Sequence, residues 1–234
     1  MSLLLRPADG QPAPRARAGQ YLSVRVRMAD GTHQLRQYSL SSDPGQDLRR
    51  ITVKRVTGDA REPDGEVSTL LHDRVSPGDE LTLSAPFGDV FLDEPADAAT
   101  PLVLVSAGIG CTPMTGILAH LAALGSTRPV LVLHADRSPA EHALRAETHD
   151  LVGQLPGARA LFWYEHPDPE EPDSRTGLMN LEGMELPDDA TVFLCGPLPF
   201  MRAVRAQLRS AGVPALRIRY EVFGPDLWLP DTIS

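Results

Sequence analysis

The stretch 102–114, LVLVSAGIGCTPM, restricts the fold more than any other part of the chain. Its first four residues are aliphatic with no polar alternation, as in a strand covered on both faces. Gly108 and Gly110 then give a turn in which the backbone can approach a ligand closely. Thr112 is a candidate cap for the following helix, and Pro113 suits its first position. Strand, glycine turn and helix N-terminus together form an anion site of the kind that takes a phosphate. The spacing is G-x-G-x-x-P and not the dinucleotide fingerprint G-x-G-x-x-G, so a tight βα turn in any α/β domain accounts for it equally well.

The 234 residues suit one large domain or two of about a hundred residues. Apolar residues make up 42%, enough for a real core. A net charge of −9 with no Lys/Arg cluster argues against a nucleic-acid partner. Cys111 and Cys195 are the only cysteines, which excludes a zinc site or iron–sulfur cluster held by four thiolates of this chain. The histidines show no metal-ligand spacing, and no metal is expected. No apolar stretch is long enough to span a bilayer and the first residues lack a signal-peptide pattern, so the expectation is a cytoplasmic protein without a membrane partner.

Before residue 100 the pattern is of short strands. Residues 2–6 suit a short strand and 21–28 alternate apolar and polar. Asp30-Gly31 signals a hairpin into 34–40, and 51–56 and 80–84 are further strands. Residues 65–72 read as a short helix with Ser68 near its start. Strands at this spacing predict an antiparallel β-barrel, ending in the Asp/Glu/Pro/Ala-rich loop 93–100. Beyond it, strands (102–105, 130–134, 158–164, 191–194, 218–223) alternate with helices (112–124, 139–150, 200–211), which predicts an α/β doubly wound parallel sheet. The helix at 139 opens Ser138-Pro139-Ala140-Glu141, both a capping box and a proline at the first helical position. The expected domains are 1–97 and 98–234.

Five motifs then fall in one order: Arg36-Gln37-Tyr38-Ser39, Gly65-Glu66-Val67-Ser68, the turn Gly108-Ile109-Gly110-Cys111-Thr112-Pro113, Cys195-Gly196-Pro197, and Tyr220-Glu221-Val222-Phe223-Gly224-Pro225. That order resembles the ferredoxin–NADP reductase superfamily and, within it, the reductase module of bacterial flavohaemoglobins, the nitric oxide dioxygenases. The resemblance runs over nearly the whole chain.

It implies an FAD-binding barrel followed by an NAD(P)-binding domain, with all the motif residues except Glu66, Cys195, Tyr220 and Glu221 as cofactor contacts. Arg36 has the directional charge that an FAD pyrophosphate needs, though an ordinary strand arginine would look the same. Tyr38 can lie along a flavin ring, and Ser39 is placed by the resemblance at its reactive edge. Ser68 would present helix N–H groups to the pyrophosphate, or serve as a plain cap. Tyr21 matches a flavin-contacting position and suits a barrel-face aromatic equally. Cys195 ends a strand at the carboxyl edge, where doubly wound folds bind ligands. The resemblance puts it near the nicotinamide, whereas its residue type also suits a buried packing thiol. Phe223 would pack on the flavin face and Glu221 tune the flavin environment, unless both simply belong to a terminal strand. Ser39, Cys195 and Glu221 are the residues expected at the chemistry.

The second strand of the nucleotide domain ends His134-Ala135-Asp136-Arg137-Ser138, where an adenosine ribose lies in such folds. Asp136 would accept from a 2′-hydroxyl and favour NADH; Arg137 would welcome the 2′-phosphate of NADPH. NADH is the expected donor and NADPH the alternative. A flavohaemoglobin carries a haem-binding globin ahead of its reductase, and this chain has no room for one. The chain also starts inside the first flavin-domain segment, so an opening barrel strand is expected to be missing. The implied function is an FAD-dependent NAD(P)H oxidoreductase. It would pass a hydride from nicotinamide to flavin and then electrons to an acceptor such as a separate haem globin or an oxygenase component. The alternative is a truncated, non-catalytic module that binds nucleotide or a partner without holding flavin.

Overall fold

The computed structural model describes residues 1–58, 63–93, 99–168 and 174–223. The first half contains two small antiparallel sheets around one core. Strand β1 (Ser2–Leu5) pairs with β4 (Arg49–Thr52). Strand β2 (Tyr21–Arg27) lies between β3 (His33–Ser39) and β5 (Thr82–Leu83). The alternation in β2 sends Leu22, Val24 and Val26 inward and leaves Arg25 and Arg27 exposed, as a period of two demands. A bridge between Leu40 and Ile51 links the two sheets. Helix α1 (Glu66–Arg74) sends Val67 and Leu71 into the same core. The strand expected at 51–56 runs instead from Arg49 to Thr52, because the chain then leaves the ladder: the Val56 N–H donates to Ser68 Oγ at 3.1 Å. The strand expected at 80–84 is only two residues long.

The second half is a parallel sheet in the order β11-β10-β6-β7-β8-β9. Its members are β6 (Leu102–Ala107), β7 (Val130–Asp136), β8 (Ala158–Tyr164), β9 (Arg175–Thr176), β10 (Thr191–Cys195) and β11 (Ile218–Glu221). All six residues of β6 are buried, as expected for a central strand covered on both faces. Helices α2 (Cys111–Ala123) and α3 (Arg145–Gln154) cover one face, and α4 (Leu198–Ser210) covers the other. Strand order reverses at β6, between β7 and β10, so the crevice for a ligand opens at the carboxyl ends of β6 and β10.

Three local expectations are corrected. The helix expected from Pro139 begins at Arg145, after Leu144 in a left-handed conformation at φ 58°. The reason lies in His142, which turns inward to the sheet. Thr112 does not cap α2: the cap position is Gly110, and Thr112 Oγ1 donates to the Ile109 carbonyl at 3.0 Å. Pro113 is accordingly the third residue of the helix, still within the turn whose N–H groups have no helical partner. The strand expected at 218–223 ends at Glu221.

The halves meet along α2 and α3. A Cβ on Gly116 would run into the Leu40 carbonyl, so α2 lies directly against the end of the antiparallel half. Asp43 and His120 pair at 2.9 Å, and Arg50 and Glu147 at 2.6 Å, across the same junction.

Candidate functional site

Between the halves lies a cleft of about 560 Å³. From the antiparallel half it is lined by Arg36, Gln37, Tyr38 and Ser39 on β3 and by Gly65, Val67 and Ser68 at the start of α1. From the parallel half come Ile109, Thr112, Arg137 and Phe223. Lys54, Arg55 and Glu141 also line it; the first two were not singled out in the sequence, and Glu141 was read only as part of a capping box. The signal for the first two was a broken alternation: Lys54 and Arg55 are adjacent polar residues at the end of a supposed strand. Although the chain carries a net charge of −9, Arg36, Lys54, Arg55 and Arg137 bring cations to this wall. Glu66 and Glu141 line the same cleft and Arg55 pairs with Asp73, so the four cations leave a modest positive excess that suits an anion.

Arg36 is exposed and already oriented: its guanidinium donates to the Leu35 carbonyl and to Gln34 Oε1, both at 2.8 Å. Ser68 Oγ donates to the Gly65 carbonyl at 2.9 Å while accepting from Val56, so it ties the start of α1 to the segment carrying Lys54 and Arg55. Burial raises the Tyr38 hydroxyl pKa, with Arg36 opposing.

The other predicted residues gather at one end. Ser39 Oγ donates to Glu221 Oε2 at 3.4 Å, across the two halves. Glu221 is paired in register with Cys195, and Cys195 with Ser106. Tyr21 sits opposite Ser39, receives a hydrogen bond from Gln37 Nε2 at 3.1 Å and packs edge-on against Phe87 at 4.4 Å. Burial pushes the Glu221 carboxyl up to about 7, opposed only by the Ser39 hydrogen bond. Burial pushes the Cys195 thiol well above the ordinary thiol range, and Glu221 and Cys111 add to it. The Cys111 thiol, also buried, is raised to about 12. Both sulfurs are therefore neutral thiols near neutral pH and not nucleophiles.

Gly110 is required by close approach: a Cβ there would stand 2.5 Å from the Cys195 carbonyl oxygen. The glycine turn is thus packed onto the Cys195–Gly196 peptide, and Pro197 caps α4 just beyond. Gly108, Gly110, Cys111 and Pro113 form this turn and the buried start of α2, beneath the cleft wall. Val222 follows Glu221 and packs against the α4-side core. Gly224 and Pro225 lie outside the described residues, as does the expected domain boundary at 97/98.

Asp136 and Arg137 are separated by orientation. The Asp136 side chain is only 5% exposed; Oδ1 accepts from the Arg137 N–H at 2.9 Å and Oδ2 lies 3.6 Å from His134 Nε2. Burial acts to raise its pKa, but the His134 imidazole and the Arg137 N–H outweigh this and hold it low. Arg137 is 72% exposed and lines the cleft, with Glu141 Oε2 3.8 Å away. The arginine and not the aspartate faces the cleft. Among the described residues no helix is long and apolar enough to cross a membrane, and no group of three His, Cys, Asp or Glu is placed to hold a metal ion.

Comparison with known proteins bears on this site. Residues 104–206 match the family model described as the oxidoreductase NAD-binding domain. The flavohemoprotein of Rhizobium meliloti (strain 1021) is 41% identical over 235 residues, covering 97% of this chain and 57% of that protein. The flavohemoprotein of Chromobacterium violaceum is 44% identical over 231 residues, covering 95% and 56%. The crystal structure of the flavohem-like FAD/NAD binding domain of nitric oxide dioxygenase from Vibrio cholerae O1 biovar El Tor superposes with a TM-score of 0.86 at 39% identity, covering 96% of this chain and 92% of that one. The chain spans little more than half the length of the curated relatives it matches.

Proposed function

Because the chain belongs to the family of NAD(P)H-dependent flavin reductases that includes the flavohaemoprotein FAD/NAD-binding module, we propose that it holds FAD in the cleft between its halves, accepts reducing equivalents from a nicotinamide dinucleotide, and delivers them to an acceptor such as a haem globin or an oxygenase component. One observation carries this reading. A cleft lined by Arg36, Lys54, Arg55 and Arg137 reaches Ser39, whose hydroxyl bonds Glu221 of the other half, the register partner of the buried Cys195. A ligand with phosphates at its middle and a neutral ring at one end suits that donor set.

When bound, FAD and the dinucleotide supply the hydride chemistry themselves. The chain supplies position and charge. Arg36, Lys54 and Arg55 neutralise phosphate, and Arg36 is held in place by its own strand. Tyr38 offers a half-buried ring beside a cation. With its pKa near 7, Glu221 holds a proton on its carboxyl below neutral pH and releases it as pH rises through that value. Ser39 is the hydroxyl that reaches that carboxyl. The neutral Cys195 thiol fills the strand end and excludes water.

NADH is the proposed donor. Asp136, turned under the strand, does not select it, and Arg137 makes NADPH a usable second donor. The test is the absorbance of the purified protein, followed by anaerobic NADH. A flavin spectrum that NADH bleaches is expected. A colourless protein that FAD cannot reconstitute would leave only the non-catalytic module.

A further inference from the structure

The function proposed above makes no use of a polar layer buried under its adenosine end. At the carboxyl edge of the sheet, on the face covered by α2 and α3, β6 presents Ser106, β7 presents His134 and β8 presents Tyr164. His142 comes down onto this layer from the loop 137–144. Its ring stacks on His134 at 3.8 Å and 22°, and its Nδ1 shares a hydrogen bond with the Tyr164 hydroxyl at 2.8 Å. His134 Nδ1 in turn shares one with Ser106 Oγ at 2.9 Å. The side chain of His134 is 1% exposed, and His142 as a residue is 5% exposed. The backbone beside His142 is anchored as well, since Cys111 Sγ donates to the Ala143 carbonyl at 3.3 Å.

This insertion explains why a segment with a capping box and a proline at its head is not helical. The chain turns at Glu141, whose N–H donates to the Ser138 carbonyl at 3.1 Å, and passes Leu144 in a left-handed conformation before α3 starts. A loop forced from its local preference persists only where tertiary contacts over-determine it. Arg137 and Glu141, on either side of that turn, are the loop residues that line the cleft.

We propose that His142 is a positioning residue: by stacking on His134 and bonding Tyr164 it fastens the loop 137–144 to the sheet, and so sets the affinity for the adenosine half of the dinucleotide through Arg137 and Glu141. The adenosine part rests on the proposed function; the fastening does not. The contact is between neutral rings. Burial, with the neighbouring imidazole and the Arg145 and His149 side chains, lowers the His142 pKa to about 2 against the opposing pull of Asp136. Burial, with Lys54, lowers that of His134 against Asp136 as well.

The experiment uses the flavin-loaded protein and NADH as probe. In His142→Ala the KM for NADH should rise about tenfold, as expected for losing a buried hydrogen bond and a ring contact, with flavin content and the limiting rate of flavin reduction unchanged. Tyr164→Phe should raise it roughly threefold, since the hydrogen bond to His142 goes while the ring stays. In a double-mutant cycle, Arg137→Ala should cost much less in the His142→Ala background than in the parent, because both act through one loop. Amide hydrogen exchange at 138–144 should quicken in both His142→Ala and Tyr164→Phe. An unchanged KM, a lowered limiting rate with unchanged KM, or full additivity with Arg137→Ala would overturn the positioning role. If the parent holds no flavin, the proposed function fails and the adenosine part with it; unchanged exchange in the variants then overturns the fastening, and quickened exchange upholds it. If His142→Ala does not fold, Tyr164→Phe carries both readouts.

Discussion

The two halves support one cleft by opposite means. In the parallel half the site is built from strand ends and backbone: β6 is buried throughout, both faces of the sheet carry a core, and the glycine turn rests on the Cys195–Gly196 peptide. In the antiparallel half the site is built from side chains on β3, whose residues from His33 to Gln37 are mostly exposed. Packing and cleft lining are therefore fused in one half and separable in the other. Substitutions in the parallel half should register first as lost stability, and substitutions on β3 first as lost affinity.

The largest expected effect tests the fused side. Leu104→Ala removes a fully buried side chain from the central strand and should cost about 2–5 kcal/mol of stability, read by denaturant unfolding. Arg36→Ala tests the separable side. FAD affinity should fall by about 1.5–3 kcal/mol, seen as flavin lost on gel filtration, while the unfolding midpoint of the flavin-free protein stays in place. Equal effects of the two substitutions on stability would erase the contrast.

A smaller effect is expected from pH, and it belongs to the parallel half. The buried His134 and His142 rings stay neutral when folded but take up protons in the unfolded chain below its ordinary value of 6.5. The unfolded state then binds more protons, so stability falls as pH drops below that value, by up to about 1.4 kcal/mol per imidazole per pH unit. Denaturant unfolding at pH 7.5 and 5.5 reads this in the Glu221→Gln background, because the raised Glu221 carboxyl acts in the opposite sense over the same window, and a flat profile there would mean that the rings are protonated in the fold. The smallest effect concerns Arg137→Ala, which should lower kcat/KM for NADPH by about 1 kcal/mol more than for NADH, an exposed-charge effect that added salt should reduce. Asp136→Ala should leave that ratio nearly unchanged, contrary to what the sequence alone suggested.

What was legible in the sequence follows the same division. The buried run of β6, the alternation of β2 and the glycine turn each carry their own period or punctuation, and they appear where expected. The Arg36–Ser39 motif was legible because contiguous residues on one strand meet one cleft. The loop 137–144 was not. Its local signals all favoured a helix, and the contact that overrides them joins His142 to β7 and β8, far apart in sequence. The direction of the Asp136 side chain depended on that same layer. Strand β9 is too short to show any period, and Lys54 and Arg55 were hidden inside a strand drawn too long.

Gly116 has a further consequence. The spacing between the halves along α2 is gauged by main chain against main chain, Gly116 against the Leu40 carbonyl, with no side chain between them to rotate or trim. A single methyl at 116 would thus act as a shim driven into the joint. Gly116→Ala should widen the cleft while each half keeps its own core, and a flavin titration would show the protein folded but loose in its grip. The width of the cleft would then be a tolerance set at a glycine outside its wall.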